Sequence, residues 1–196
     1  MEEITKYISE NGGYARLTEL REEGFQTRDI SKLNEDGVLY KVKPGLYKLK
    51  DSQITSGYVD VSKAMPMGVI ALVSALSYYD LTTFNPSGIH VAIPNHEKPK
   101  KLNYPPVEVY YFRKNQYESG IEEISVQGHT VRMYSMEKTV CDMFRYRNKL
   151  GEDLALEGLR EYLELPGANL KILMEYMNSC RVRTIMEPYV KAMVSG

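Results

Sequence analysis

The sequence predicts an α+β fold: a small N-terminal unit, then a mixed domain with a small β-sheet and a C-terminal group of helices. Three observations predict it. The apolar period changes from helical to two within the first 50 residues, which is how three short helices followed by a hairpin read. Beyond residue 58, strand signals cluster ahead of a run of helical ones, without the strand–helix–strand alternation of a parallel sheet. The 196 residues, 43% hydrophobic and 26% charged, are enough to bury a real core and too apolar for a disordered chain.

In the first unit, residues 1–50, Ile4, Tyr7 and Ile8 lie at helical spacing before the helix stop Asn11-Gly12-Gly13. A second helix is predicted over 15–23, with Leu17 and Leu20 on one face and Gly24 as its end. Thr27 is read as the cap of a third helix, with Asp29 complementing its dipole, Ile30 and Leu33 facing inward and Gly37 terminating it. In VLYKVKPGLYKLK, Tyr40, Val42, Tyr47 and Leu49 alternate with Lys41, Lys43, Lys48 and Lys50 about Pro44-Gly45. That is a hairpin; a tight type II turn would splay its strands, so a loop longer than two residues is expected. Three helices and a hairpin make a winged helix-turn-helix.

Residues 51–57 read as a polar linker, and residues 58–196 as an α+β effector domain. Helices are predicted near 58–64 and 69–81, strands at IHVAIP, VEVYYF, EEISV and TVRMY, and a helix capped by Ser135 running to about Lys149. DLALEGLREYLEL, ANLKILMEYMN and 182–194 complete the helical group, with Met174, Met177, Met186 and Met193 assigned to its core. In YYF (110–112), alternation sends neighbours to opposite faces, which predicts core packing rather than base stacking.

Charge locates the candidate surface. The chain carries 25 Lys and Arg against 26 Asp and Glu, a net charge of −1, which excludes coating nucleic acid by bulk charge. The N-terminal unit is nevertheless split, −3 over residues 1–25 and +3 over residues 26–50. The positive half is the third helix and the hairpin, the two elements a winged helix presents to DNA. Candidate contacts are Gln26 and Thr27 at the helix start, Arg28, Ser31 and Lys32 on its outer face, and Lys41, Lys43 and Lys48 on the hairpin. Arg28 leads for base reading, because its fork matches the two acceptors of guanine. The competing reading of the hairpin lysines is edge protection. About four phosphate contacts would give a log–log salt slope of only ~−3.6, so a homodimer, or two copies on repeated half-sites, is expected.

Other chemistries find little support. His90, His96 and His129 have no close metal-ligand spacing, and no glycine-rich phosphate loop or GxSxG is present. Cys141 and Cys180 show no CxxC spacing, so a disulfide scaffold is not expected and a cytoplasmic protein is. No apolar run reaches the length of a membrane span, and the acidic, amphipathic start MEEITKYISE is unlike a secretory leader. The basic loop at 96–101 (His96, Lys98, Lys100, Lys101) reads as solvated charge.

Two stretches taken together, DGVLYKVKPGLYKLK and YSMEKTVCDMFRYRNKLGEDLALEGLREYL (134–163), resemble the AbiE-type (AbiEi) antitoxins and transcriptional regulators of bacterial type IV toxin–antitoxin systems. The more specific part is the Ser-x-x-Lys-Thr-x-x-Asp helix with its Arg-rich end and Leu-Gly-x-Asp, and the likeness spans about residues 1–165. It implies a cytoplasmic two-domain protein that represses its own operon through an operator of repeated half-sites. It also implies that the protein counters a nucleotidyltransferase-like toxin, without requiring a stable complex with it. By position the motif falls on Ser135, Lys138, Thr139 and Asp142, with Arg145 and Arg147 as a partner patch. Read as plain chemistry, Ser135 is a helix cap, Lys138 and Asp142 an i,i+4 pair, and Val140, Met143 and Phe144 core. The expected function is therefore sequence-specific DNA binding with an antitoxin domain, non-enzymatic and without metal or cofactor. The alternatives are a protein-interaction module with a vestigial winged helix, or a metal-dependent nuclease or nucleotidyltransferase.

Overall fold

Acidic residues Glu2 and Glu3 at the positive end of the first helix, α1 (Glu2–Glu10), and Ile4 and Ile8 on its inner face start the fold of a computed structural model that describes residues 1–99 and 101–194. The second helix starts later than its periodicity implied. Tyr14–Arg16 forms a strand, β1, because its backbone is taken up by pairing with β3 (Leu46–Leu49), and α2 (Leu17–Glu22) follows. The Glu19 carboxylate accepts the Arg16 backbone N–H at 2.7 Å and closes the start of α2.

The third helix, α3 (Thr27–Glu35), buries Ile30 and Leu33 completely or nearly so. Thr27 is its first residue and not its cap; Gln26 holds the cap position, and the Thr27 hydroxyl accepts a hydrogen bond from Arg21 Nε at 3.0 Å instead. Gly37, at φ +72°, lets Val38 N–H reach back to Leu33 C=O and end the helix, a conformation that costs other residues about 1 kcal/mol.

The hairpin β2 (Leu39–Lys43) and β3 is joined by Pro44-Gly45 alone, not by a longer loop. The expected splay is absorbed by a bulge: Lys41 pairs with Tyr47 but Lys43 with Leu46, leaving Val42 as the extra residue. The bulge also breaks the simple alternation, so Leu39 and Val42 face inward while Tyr40 is exposed. The small sheet has the order β1-β3-β2 and is antiparallel throughout.

After α4 (Gly57–Ala64) comes a five-stranded mixed sheet of order β6-β5-β4-β8-β7, formed by β4 (Val69–Ile70), β5 (Ile89–Pro94), β6 (Val107–Phe112), β7 (Ile121–Val126) and β8 (His129–Tyr134). The pairs β5–β6 and β4–β8 are parallel, the others antiparallel. The expected helix over 69–81 is shorter, α5 (Leu72–Tyr78), because Val69 and Ile70 are claimed as the central strand, buried on both faces. Here tertiary pairing overrides the helical reading of an apolar run. A short helix, α6 (Lys114–Glu118), went unforeseen; then α7 (Met136–Leu150), α8 (Glu152–Glu164), α9 (Leu170–Ser179) and α10 (Arg183–Val194) follow as the pattern predicted.

Strand alternation divides the core. On one face Ile70, Val91, Ile93, Val131 and Met133 pack with Val59 and Val61 of α4 and with Tyr14, Val42 and Leu46 of the N-terminal unit. On the other, Val69, Ala92, Tyr110, Phe112 and Tyr134 pack with Phe144, Leu159, Tyr162 and Met177 of the helical group. A third cluster, Ile4, Ile8, Leu20, Ile30, Leu33, Leu39 and Tyr47, lies within the first 50 residues. The protein is thus α+β, and among the described residues no helix is long and apolar enough to cross a membrane.

Candidate functional site

The outer face of α3 is open. Gln26, Arg28, Ser31 and Lys32 are exposed, opposite the buried Ile30 and Leu33, while Thr27 is half-buried. Arg28 has 92% of its side chain accessible and only a loose 3.9 Å approach to Asp29. Lys41, on β2, is half-exposed and its carbonyl accepts from the Asn103 side chain at 2.9 Å.

The other two hairpin lysines turn the opposite way. Lys48 Nζ is 2.9 Å from Asp60 Oδ1, with 12% and 8% of the two side chains accessible, and the Tyr14 hydroxyl donates to the same carboxylate oxygen at 2.6 Å. Burial and this neighbouring carboxylate hold the Tyr14 phenol well above its ordinary pKa. Lys43 Nζ donates to the Ala64 carbonyl at the end of α4, and Arg16 reaches the Lys63 carbonyl at 3.5 Å. Lys43 and Lys48 therefore do not join Arg28, Lys32 and Lys41 on one surface; they fasten the hairpin to α4. Residues 51–57 are likewise held, since Gln127 Oε1 accepts from the backbone N–H groups of Thr55 and Ser56 at 3.0 and 2.9 Å. Asp60 was missed in the sequence; its only signal was an acid inside the apolar run YVDVSKA.

The second motif is also turned inward. Ser135 caps α7 by accepting Lys138 N–H at 3.3 Å, as its position predicted. Thr139, Lys138 and Asp142 are buried, and Lys138 Nζ pairs with Asp142 Oδ2 with 1% of either side chain accessible. The ammonium also sits 4.5 Å from the Tyr134 ring centroid and 5.1 Å from that of Phe112. Burial pushes the Asp142 carboxyl up, and the Lys138 charge opposes it. Cys180 Sγ lies 3.8 Å from the other Asp142 oxygen, and both Cys141 and Cys180 are free, buried thiols. The i,i+4 pair is a core element, and Ser135, Lys138, Thr139 and Asp142 are all buried.

Arg145 and Arg147, one turn further along α7, do reach the surface and line a cleft with residues from two other segments. Lys149 instead covers the Tyr110 ring at 4.2 Å. Tyr110 and Phe112 are buried and Tyr111 exposed, the alternation expected of the strand. Met177 and Met186 are in the core, whereas Met174 is 43% exposed. In the basic loop, Lys98 and Lys101 are exposed, as is His96, and Lys100 lies outside the described residues. Comparison with known proteins gave no matching family model and no matching curated protein.

Proposed function

We propose that residues 1–50 form a winged helix-turn-helix, with α2 and α3 as its helical pair and β2–β3 as its wing, and that the chain is a sequence-specific DNA-binding transcriptional regulator. The observation that carries this reading is the outer face of α3, where Gln26, Arg28, Ser31 and Lys32 project from a helix whose inner face is fixed by Ile30 and Leu33. Side chains set on a rigid helix can enter a major groove without losing order elsewhere. Lys32 and Lys41 would meet phosphate and Arg28 a base edge. The inward turn of Lys43 and Lys48 leaves few phosphate contacts, which strengthens the case for two copies acting on repeated half-sites.

The remaining residues would form the effector region of an antitoxin-like cytoplasmic protein that counters a nucleotidyltransferase-like toxin, as the resemblance implies. The clamping of the hairpin by α4 favours one alternative, a protein-interaction module that retains the helices without a DNA role.

The test is fluorescence anisotropy on DNA from upstream of the chain's own reading frame. Arg28→Ala should weaken binding about tenfold or more and relax base preference at one position. Lys32→Ala should weaken all sequences evenly and flatten the salt slope by about one. Absence of binding at low salt, or wild-type binding by both variants, would retire the DNA reading. Rescue from a co-expressed toxin encoded next door, retained in Arg28→Ala, would show that the two activities separate.

A further inference from the structure

Three segments distant in sequence meet at a cleft of about 620 Å³: the β6–α6 junction, the C-terminal half of α7, and the α9–α10 turn. Five of its lining side chains are cationic, Arg113, Lys114, Arg145, Arg147 and Arg181, and none of its lining residues is acidic. Among the described residues none of the five cations comes within 4.0 Å of a carboxylate. Among the described residues Arg147 alone of the five has a side-chain hydrogen bond within the protein, to the Phe144 carbonyl at 2.8 Å, which fixes its guanidinium at the cleft wall. In a nearly neutral chain such a concentration of like charge repels itself; buried Asp142, already paired with Lys138, is close enough to act electrostatically on Arg145.

One of these cations is placed by a helix ending. Arg181 sits at φ +59°, in the left-handed position after α9 where its own N–H bonds Asn178 C=O and the next N–H bonds Met177 C=O. Glycine is the residue this helix ending favours. An arginine stands there instead, and from this left-handed ending it lines the cleft.

We propose that this cleft binds a nucleoside polyphosphate. Four of the five cations are arginines, whose planar forks bond phosphate oxygens in pairs, so the set matches a chain of phosphates better than a single anion. Val182 and Ile185 supply an apolar wall for a base, and Asn115, Gln116 and Ser179 supply polar groups for its edge or for a ribose. The volume falls within the range of small-ligand sites. The cleft is separate from α3, so this site acts independently of DNA reading.

The test is calorimetric titration of the full chain with ATP and with GTP. Saturable one-to-one binding is expected, weakened about tenfold or more in Arg145→Gln and in Arg181→Gly. Arg181→Gly also relieves the left-handed strain, so it should fold with undiminished thermal stability, and Arg28→Ala should bind nucleotide as wild type. Inorganic pyrophosphate should compete weakly, and adenosine not at all. The proposal fails if neither nucleotide binds at millimolar concentration, if both cleft variants bind as wild type, or if adenosine binds as well as ATP. It fails equally if duplex DNA displaces bound nucleotide through the cleft arginines, which would make the cleft a polyanion surface.

Discussion

The Lys138–Asp142 pair lets the energetics of the most specific motif in the chain be tested directly. Each side chain is 1% accessible, and the ammonium has two aromatic rings and one carboxylate as its surroundings. Asp142→Asn keeps the shape but strands a buried cation, and removing one partner of a buried pair costs about 3–5 kcal/mol. Lys138→Met should cost less, about 2–3 kcal/mol, because a buried carboxyl relieves its own desolvation by taking up a proton. Replacing both by apolar residues of similar volume, Lys138→Met with Asp142→Leu, should return stability to within about 1 kcal/mol of the parent. The assay is equilibrium urea unfolding followed at equal m-value, with the single variant Asp142→Leu added so that it, Lys138→Met and the double variant close a double-mutant cycle. A coupling energy of about 3 kcal/mol or more is expected. If Asp142→Asn costs under about 1 kcal/mol, or the double variant costs the sum of the singles, the pair is not the buried, coupled unit described.

Two further outcomes follow from the same structure. Asp60→Asn should weaken the hold of the N-terminal hairpin on α4, because Lys48 loses its ion pair and Tyr14 its charged acceptor, at a cost of about 2–3 kcal/mol. Limited proteolysis should then cut residues 51–57 faster than in the parent, and an unchanged cleavage rate would deny Asp60 that role. His90 is 4% exposed with Nδ1 lacking a hydrogen-bond partner among the described residues, and burial lowers its pKa against the opposing pull of Glu108, which is half in solvent, with Lys149 adding to the lowering. A folded-state pKa below the unfolded value of about 6.5 means that only the unfolded chain takes up the proton at first, so stability should fall as pH drops below about 6.5 and level off beneath the folded pKa. Thermal melts of His90→Gln should show a flatter fall over that window, with His129, whose pKa burial also lowers, contributing to what remains.

Local pattern accounts for much of this molecule. Ile4, Ile8, Ile30 and Leu33 marked α1 and α3, Gly24 and Gly37 marked the ends of α2 and α3, and Ser135 marked the start of α7. In each case the determinant lies within a few residues of the element it specifies, as a period, a cap or a positive φ. Where a distant partner competed, the local reading failed. Ala15 and Arg16 looked helical until β3 claimed their backbone, and Val69–Ile70 until β8 and β5 did.

The candidate surfaces divide the same way. The face of α3 was legible because 3.6 residues per turn sets Arg28 and Lys32 opposite Ile30 whatever the rest of the chain does. The fate of Lys43 and Lys48 was not, because an exposed lysine and one paired with a buried acid have the same local sequence, and only packing on α4 brought Asp60 within 2.9 Å of Lys48. For Lys138 and Asp142 the spacing fixed that they meet, and the sheet beneath α7 fixed that they meet out of water. The cleft depends wholly on tertiary structure: Arg113, Arg145 and Arg181 are spread over three segments, and nothing but the packing of α6, α7 and the α9–α10 turn places their charges around one volume. The sequence by itself determined helices, turns and the sign of charge along the chain; which charges reach solvent and which are spent internally was decided by long-range burial, a property no local window contains.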